Sequence, residues 1–371
     1  MIIIEQKAQK LNFKLNLRNF IYINWIIFLL FNNYLKSETY WVRHGWQLFK
    51  SSGDARILSL GGAASTDFGT TISPLFNPAS SINLAVQNLS YTHQNRFAGI
   101  INSDLIGFVN KSDEKGINLI IMHESIDKIP DTRKLLLDYG YDGIPGTGDI
   151  GENNGILDDG ERLDNEKIKY INQNQLGIHL STAWLINRIN IGLALKILNH
   201  SIGNKHGHGI GFDIGMLMDT WKNGNIALVI KDFTTSWHVW DSGNIERSKP
   251  LIVFGLSHSI DFDKYPLIIK GLADISFNAN GKAINDDFNF GKLGGNINTG
   301  VNIIYDYKLA LRVGRNIFGS ISAGIGLSWD SISLDYALIP EPNQSNFGST
   351  SMISLTVDTD WLQKLVKISK P

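Results

Sequence analysis

Gly53–Ala79 reads GDARILSLGGAASTDFGTTISPLFNPA. The stretch has no His, no Cys and no paired nucleophile and base, so catalytic chemistry does not explain it. Its character lies in Gly53, Ala55, Gly61, Gly62, Ala63 and Ala64, small residues that let a backbone approach its neighbours closely. Arg56 sits among them, and the run closes on the turn Asn77-Pro78-Ala79. Hydrophobic alternation is missing throughout. A segment of this kind is suited to pack inside something larger.

Beyond Ala85 the pattern changes to alternating β-runs broken by polar loops. Ile191, Leu193, Leu195 and Ile197 share one face, with Gly192, Ala194 and Lys196 on the other. Ile325 and Leu327 alternate with Gly324, Gly326 and Ser328, and Ile332 and Leu334 with Ser331, Ser333 and Asp335. Long apolar residues on one face, with Gly, Ser or charge on the other, describe a barrel wall that shows its apolar face to lipid. A soluble sandwich alternates too, its apolar face turned inward, and periodicity alone does not separate the two. Composition fits the barrel and permits a soluble β-protein equally well. At 19%, charged residues fall below the usual quarter of a soluble domain, while a mean hydropathy of −0.06 is too polar for a helical membrane bundle. With no cysteine, disulfides, thiolate chemistry and Cys-based zinc sites are excluded.

The N-terminus carries Lys7, Lys10, Lys14 and Arg18, then the apolar run Phe20–Phe31, then Asn32 and Asn33. Basic segment, short apolar core and polar exit are the parts of a secretory signal peptide, expected over residues 1–37 with cleavage near Ser37. This twelve-residue run, which includes Asn24, falls short of the roughly 20 that a spanning helix needs. Residues 1–37 hold five basic groups and one acid, so their removal takes the net charge from −1 to −5, and nucleic acid is not an expected partner.

The G-A-R-x-L-x-x-G-G-A…NPA pattern, read here with Asp54 in a place usually held by Gly or another small residue, resembles the opening of the PorV/PorQ family of outer-membrane barrels, relatives of the FadL-type transporters. Further segments resemble the family in the same order: Asn88–His93 through Ile106-Gly107 its first hairpin, and Ile230–Thr235 with Trp240, Gly243 and Glu246–Pro250 a mid-barrel strand and loop. Leu309–Gly314, Leu334–Ala337, Gly348 and Ile353–Leu355 resemble its final strands. The resemblance implies an all-β protein in the outer membrane of a bacterium: an antiparallel transmembrane β-barrel of about 12–14 strands over residues 85–357. It also implies a plug over 38–84, with Gly53, Ala55, Arg56, Gly61, Gly62, Asn77 and Pro78 inside the barrel. Members act as accessory or shuttle barrels in protein secretion, which makes lipid and secreted proteins or a secretion complex the implied partners; FadL-type cousins pass hydrophobic solutes passively. The closing residues depart from the pattern. After Val357 a tail, 358–371, places Trp361, Leu362, Leu365 and Val366 on one stripe of a short helix instead of ending on an aromatic strand residue.

Between strands lies an acidic insertion, 138–166, with nine acids against the single Arg162. Setting Gly155 as the glycine of an EF-hand-like loop puts Glu152, Asn154, Asp158 and Glu161 at ligand positions, with Asp149 one residue out of register and Ile150 at the first position. Two readings stand: a Ca²⁺ site, or a solvated acidic loop. His206 and His208 would share a strand face and with His200 make a metal trio, set against the plainer reading of histidines at a strand end. Trp237, His238 and Trp240 suit an aromatic belt at a membrane interface, or a stacking surface. Arg312 and Asp335 suit a structural pair in the lumen. No G-x-S-x-G or metal-hydrolase spacing is present, so an enzyme is not expected. A secreted, soluble calcium- or carbohydrate-binding β-sandwich is the reading from a different class.

Overall fold

The computed structural model describes residues 46–84, 87–112, 114–262, 264–278, 286–340 and 348–362. The expected signal peptide, and Leu365 and Val366 of the expected tail helix, lie outside them. Trp361 and Leu362 fall in the helical turn that follows the last strand.

The strands run β1 (Gln87–Arg96), β2 (Ile101–Lys111), β3 (Lys115–Asp131), β4 (Leu136–Leu137), β5 (Arg162–Leu163), β6 (Lys169–Ile186), β7 (Ile189–Ile202), β8 (Lys205–Trp221), β9 (Gly224–Lys231), β10 (Ser236–Trp240), β11 (Ile245–Ser248), β12 (Leu251–Phe262), β13 (Leu267–Asn278), β14 (Phe288–Phe290), β15 (Leu293–Tyr305), β16 (Leu309–Arg315), β17 (Ile321–Trp329), β18 (Ile332–Ile339) and β19 (Thr350–Asp358). Each wall strand pairs antiparallel with its neighbours, and β19 returns to β1 in the register Tyr91↔Leu355, closing the sheet. β9 with β10, and β11 with β12, each make one interrupted wall strand, and β14 extends the edge of β15. The wall therefore counts 14 strands. The minor pair β4–β5 closes the neck of the acidic insertion.

Closure follows from alternation. Along β12, Ile252, Phe254 and Leu256 are exposed outward while Val253, Gly255 and Ser257 are buried within. Leu193 and Ile197 on β7 repeat the arrangement, with Gly192, Ala194 and Lys196 inside. A single closed sheet leaves no edge unpaired, and it displaces the two stacked sheets of a sandwich; that reading is overturned. Among the described residues no helix is long and apolar enough to cross a membrane, so the apolar band belongs to the strands. One end carries two-residue turns such as 187–188, 222–223 and 330–331; the opposite rim carries the long connections, the acidic insertion among them.

Candidate functional site

Residues 46–84 occupy the lumen. Trp46, Leu48, Ile57, Ile72 and Leu75 are buried against inward residues such as Leu105, Ile120, Met122 and Leu198, and Leu60 against Leu272. The segment is built of the short helices Gln47–Ser51 and Ala55–Ser59 and two 3-10 turns, Ser73–Leu75 and Pro78–Ile82. Asp54 caps the second helix, its Oδ1 accepting from the Ile57 amide at 2.8 Å, which accounts for an acid where a small residue is usual. Gly61, at φ 69°, ends that helix: its amide bonds the Leu58 carbonyl while the Gly62 amide bonds that of Ile57, the left-handed closure that glycine adopts without strain. Ala55 is fully buried and donates its amide to Ser354 Oγ at 2.9 Å; Gly53 sits against Leu58 and Phe76. Pro78 opens the last turn, and Asn77 accepts from the Ala79 amide while donating to the Ser65 and Met216 carbonyls. At Gly192 on β7 a Cβ would overlap the Pro78–Ala79 peptide, so only glycine admits this turn to the wall.

Buried charge ties the segment to the barrel. Arg56 Nε lies 2.9 Å from Asp67, which also receives Lys270 Nζ of β13 at 3.1 Å. Asp274 accepts the Ala64 and Ser65 amides, each at 2.9 Å. Arg312 pairs with Asp335 at 2.6 Å within the lumen. Burial pushes the Asp54 carboxyl up to about 6, with Asp335 adding to the rise, from 3.8 when solvated. The docked segment thus binds more protons than the released one between those values, and Asp54 weakens docking by up to about 3 kcal/mol as pH climbs from about 4 through 6. Asp67 works in the opposite sense. Against its own burial, Arg56 and then Lys270 hold it below the usual carboxylate range, so its contribution is lost on acidification. Asp54→Asn is expected to raise the melting midpoint at pH 7 and to flatten its decline between pH 4 and 6. Identical pH profiles for variant and parent would rule out Asp54 as the titrating group.

Where the helix Gln47–Ser51 meets the wall, the wall is broken. Ile214 of β8 pairs with Ile230, and Ile210 with Trp237, so residues 211–213 face the longer run 231–236. Asp232 and Thr235 take left-handed backbone, φ 55° and 62°, an uncommon conformation for a β-branched residue such as Thr235. On the lumen side Lys196 Nζ binds Asp213 at 2.7 Å and also Asp232. Asp232 accepts from Ser236 Oγ at 2.5 Å and Ser248 Oγ at 2.9 Å, while its amide donates to Asp213 at 2.7 Å. The plug covers this latch: the Trp46 and Phe49 rings lie 5.6 and 5.7 Å from Lys196 Nζ, and Lys50 Nζ donates to Ser248 Oγ at 3.2 Å. On the outer surface Phe212 and Phe233 meet edge to face at 6.4 Å. The arrangement is a bulge in the backbone ladder, bridged by the Phe233 amide on the Phe212 carbonyl at 3.0 Å, greasy outside and sealed inside by one cation shared between two acids.

Other expected groupings come apart. His206 and His208 are exposed on the outer face of β8, whereas His200 points inward, because strand alternation sends them to opposite sides of the wall. The belt is split likewise. Trp237 is exposed outward, but His238 and Trp240 turn into the lumen. In the acidic insertion the carboxylates face backbone amides: Asp149 accepts from Asp142, Glu152 from Gly146 and Gly148, Glu161 from Gly140 and Asp158, and Asp158 takes the Asn154 side-chain amide. Among the described residues no three of His, Asp and Glu gather to hold a metal ion.

No family model and no curated protein matches the sequence. Solved structures do share the fold. The toluene transporter TodX of P. putida overlays with a TM-score of 0.53 at 11% identity, over 83% of this chain and 98% of that one. The monoaromatic hydrocarbon channel CymD gives 0.51 at 12% identity, over 82% and 97%. A Pseudomonas aeruginosa FadL homologue aligns over 82% and 98%, at 10% identity and a TM-score of 0.44. At such identities the likeness of the first two is one of fold.

Proposed function

We propose that this chain is a non-enzymatic barrel of the bacterial outer membrane that admits a small hydrophobic solute passively, the solute leaving the lumen sideways at the break beside β8. The observation that carries the reading is the sealed break: a bulged stretch of wall, bridged by the Phe233–Phe212 backbone bond and backed by a latch that rests on the plug, so that movement of helix Gln47–Ser51 would uncover it. Barrels of the same fold that carry toluene or monoaromatic hydrocarbons in their names favour this reading over the secretion-accessory role implied by PorV/PorQ resemblance. The test is uptake of labelled toluene by cells with the barrel in their outer membrane, compared with cells lacking it. Faster, saturable uptake supports transport. Equal uptake, with the barrel recovered from the outer membrane and shifting on boiling, would overturn it in favour of the accessory role.

Calcium in the acidic insertion is a separate proposal, and it requires the carboxylates of Asp149, Glu152, Asp158 and Glu161 to exchange amide partners for a cation. Chelation is then expected to speed proteolysis between Asp138 and Glu166. Unchanged cleavage would leave a solvated loop.

A further inference from the structure

At the rim of long connections, the tip of the β10–β11 hairpin forms a recess of about 280 Å³ lined by Ile202, Lys205, Trp240, Ser242, Asn244 and Glu246. Its frame is fixed by hydrogen bonds. The Trp240 amide donates to the Asn244 carbonyl and the Gly243 amide to that of Trp240, both at 2.9 Å, with Gly243 at φ 83°. The neighbouring β7–β8 turn is fastened on: the Asp241 amide donates to the His206 carbonyl at 2.8 Å, and the His206 amide to Asp241 Oδ2 at 3.2 Å.

Within this frame Trp240 and Glu246 are set against each other. The indole Nε1 donates to Glu246 Oε1 at 2.9 Å, leaving Oε2 at 3.7 Å from His238 Nδ1, beyond hydrogen-bond length. Two imidazoles also meet the indole, His200 tilted at 4.9 Å and His238 edge-on at 4.7 Å, and they stack on each other at 5.5 Å. His200 Nε2 and both ring nitrogens of His238 are buried without a hydrogen-bond partner. The recess is thus lined by an indole fixed by three neighbours and by a carboxylate whose Oε2, though within ion-pair range of His238, accepts no hydrogen bond.

We propose that this recess is a reception site for a single-ring aromatic solute bearing a hydrogen-bond donor, of the phenol class. The inference rests on the transporter reading and narrows its solute. A ring stacks on Trp240, and a hydroxyl donates to Glu246 Oε2, a charge-assisted bond. A plain hydrocarbon would cover the carboxylate and return no hydrogen bond. An aryl carboxylate would meet Glu246 as a like charge, and water screens the offsetting Lys205 ammonium, which is exposed.

The test is calorimetric binding of p-cresol, toluene and p-toluate to the purified full-length barrel in detergent. p-Cresol is expected to bind at least tenfold more tightly than either of the others. Glu246→Leu should bring p-cresol down to the affinity of toluene, and Trp240→Leu should weaken both, each variant still shifting on boiling as a closed barrel does. Equal affinities in the parent, preference for p-toluate, or a p-cresol preference untouched by Glu246→Leu would each overturn the site. The two readings fail separately. Cresol binding that follows this pattern without any uptake by cells sinks transport and leaves the recess, while toluene and p-cresol uptake without a binding preference sinks the recess alone.

Discussion

Deleting residues 46–84 is expected to turn a closed barrel into a conducting pore. Fourteen strands enclose a lumen only slightly narrower than that of porins of 16–18 strands, which hold an aqueous channel. Here that volume is taken by the plug, whose Leu48, Ile57, Leu60 and Ile72 are wholly shielded from water. The surface it would leave behind is wettable, since Ser90, Thr92, Asn118, Ser181, Lys196 and Arg312 all point inward. In planar bilayers the parent should be nearly silent and the deletion should show steps of porin-like size. A deletion that remains boiling-sensitive yet conducts no better than the parent would mean that the plug does not close the lumen.

Lys196→Met should produce the largest effect of any single substitution in the wall. The ammonium is shared by Asp213 and Asp232, and all three side chains are about 3% exposed or less. Removing it leaves two carboxylates facing each other without a counter-charge, a loss of about 3–5 kcal/mol when one partner of a buried ion pair is deleted. The seam between β8 and β10 is where this cost falls, so the variant should unfold at lower denaturant and expose Asp232–Thr235 to protease first. Adding Asp213→Asn and Asp232→Asn to Lys196→Met should recover much of the loss, because the unpaired charge is then gone. If Lys196→Met unfolds with the parent, Lys196 does not hold the break shut.

Much of the wall was legible before folding. The alternation at Ile191–Ile197 and Ile325–Leu334 points to faces that the strands keep, and the estimate of about 12–14 strands brackets the 14 that close. Ala55, Gly61 and Asn77 are buried inside the wall, a placement that family resemblance implied and that spacing alone did not show. The break was not legible. Lys-Asp-Phe-Thr-Thr, 231–235, has the composition of any strand end, and what makes it a bulge is a mismatch of count against residues 211–213 on β8. Such a mismatch is a property of two strands in register, which neither strand contains alone. The histidines went astray for a related reason. Nearness in sequence joined His200 with His206 and His208, whereas the wall sends His200 inward to stack on His238, 38 positions further on.

By itself, then, the sequence determined that strands would show a greasy face and a small or polar one, because side-chain size and the period of two act locally. Tertiary structure alone decided where the wall is broken, that Lys196 unites Asp213 with Asp232 beneath Trp46, and that Trp240 and Glu246 frame a recess at the rim. Those features depend on barrel register and on plug depth, which are set only when residues far apart in the chain come to oppose one another.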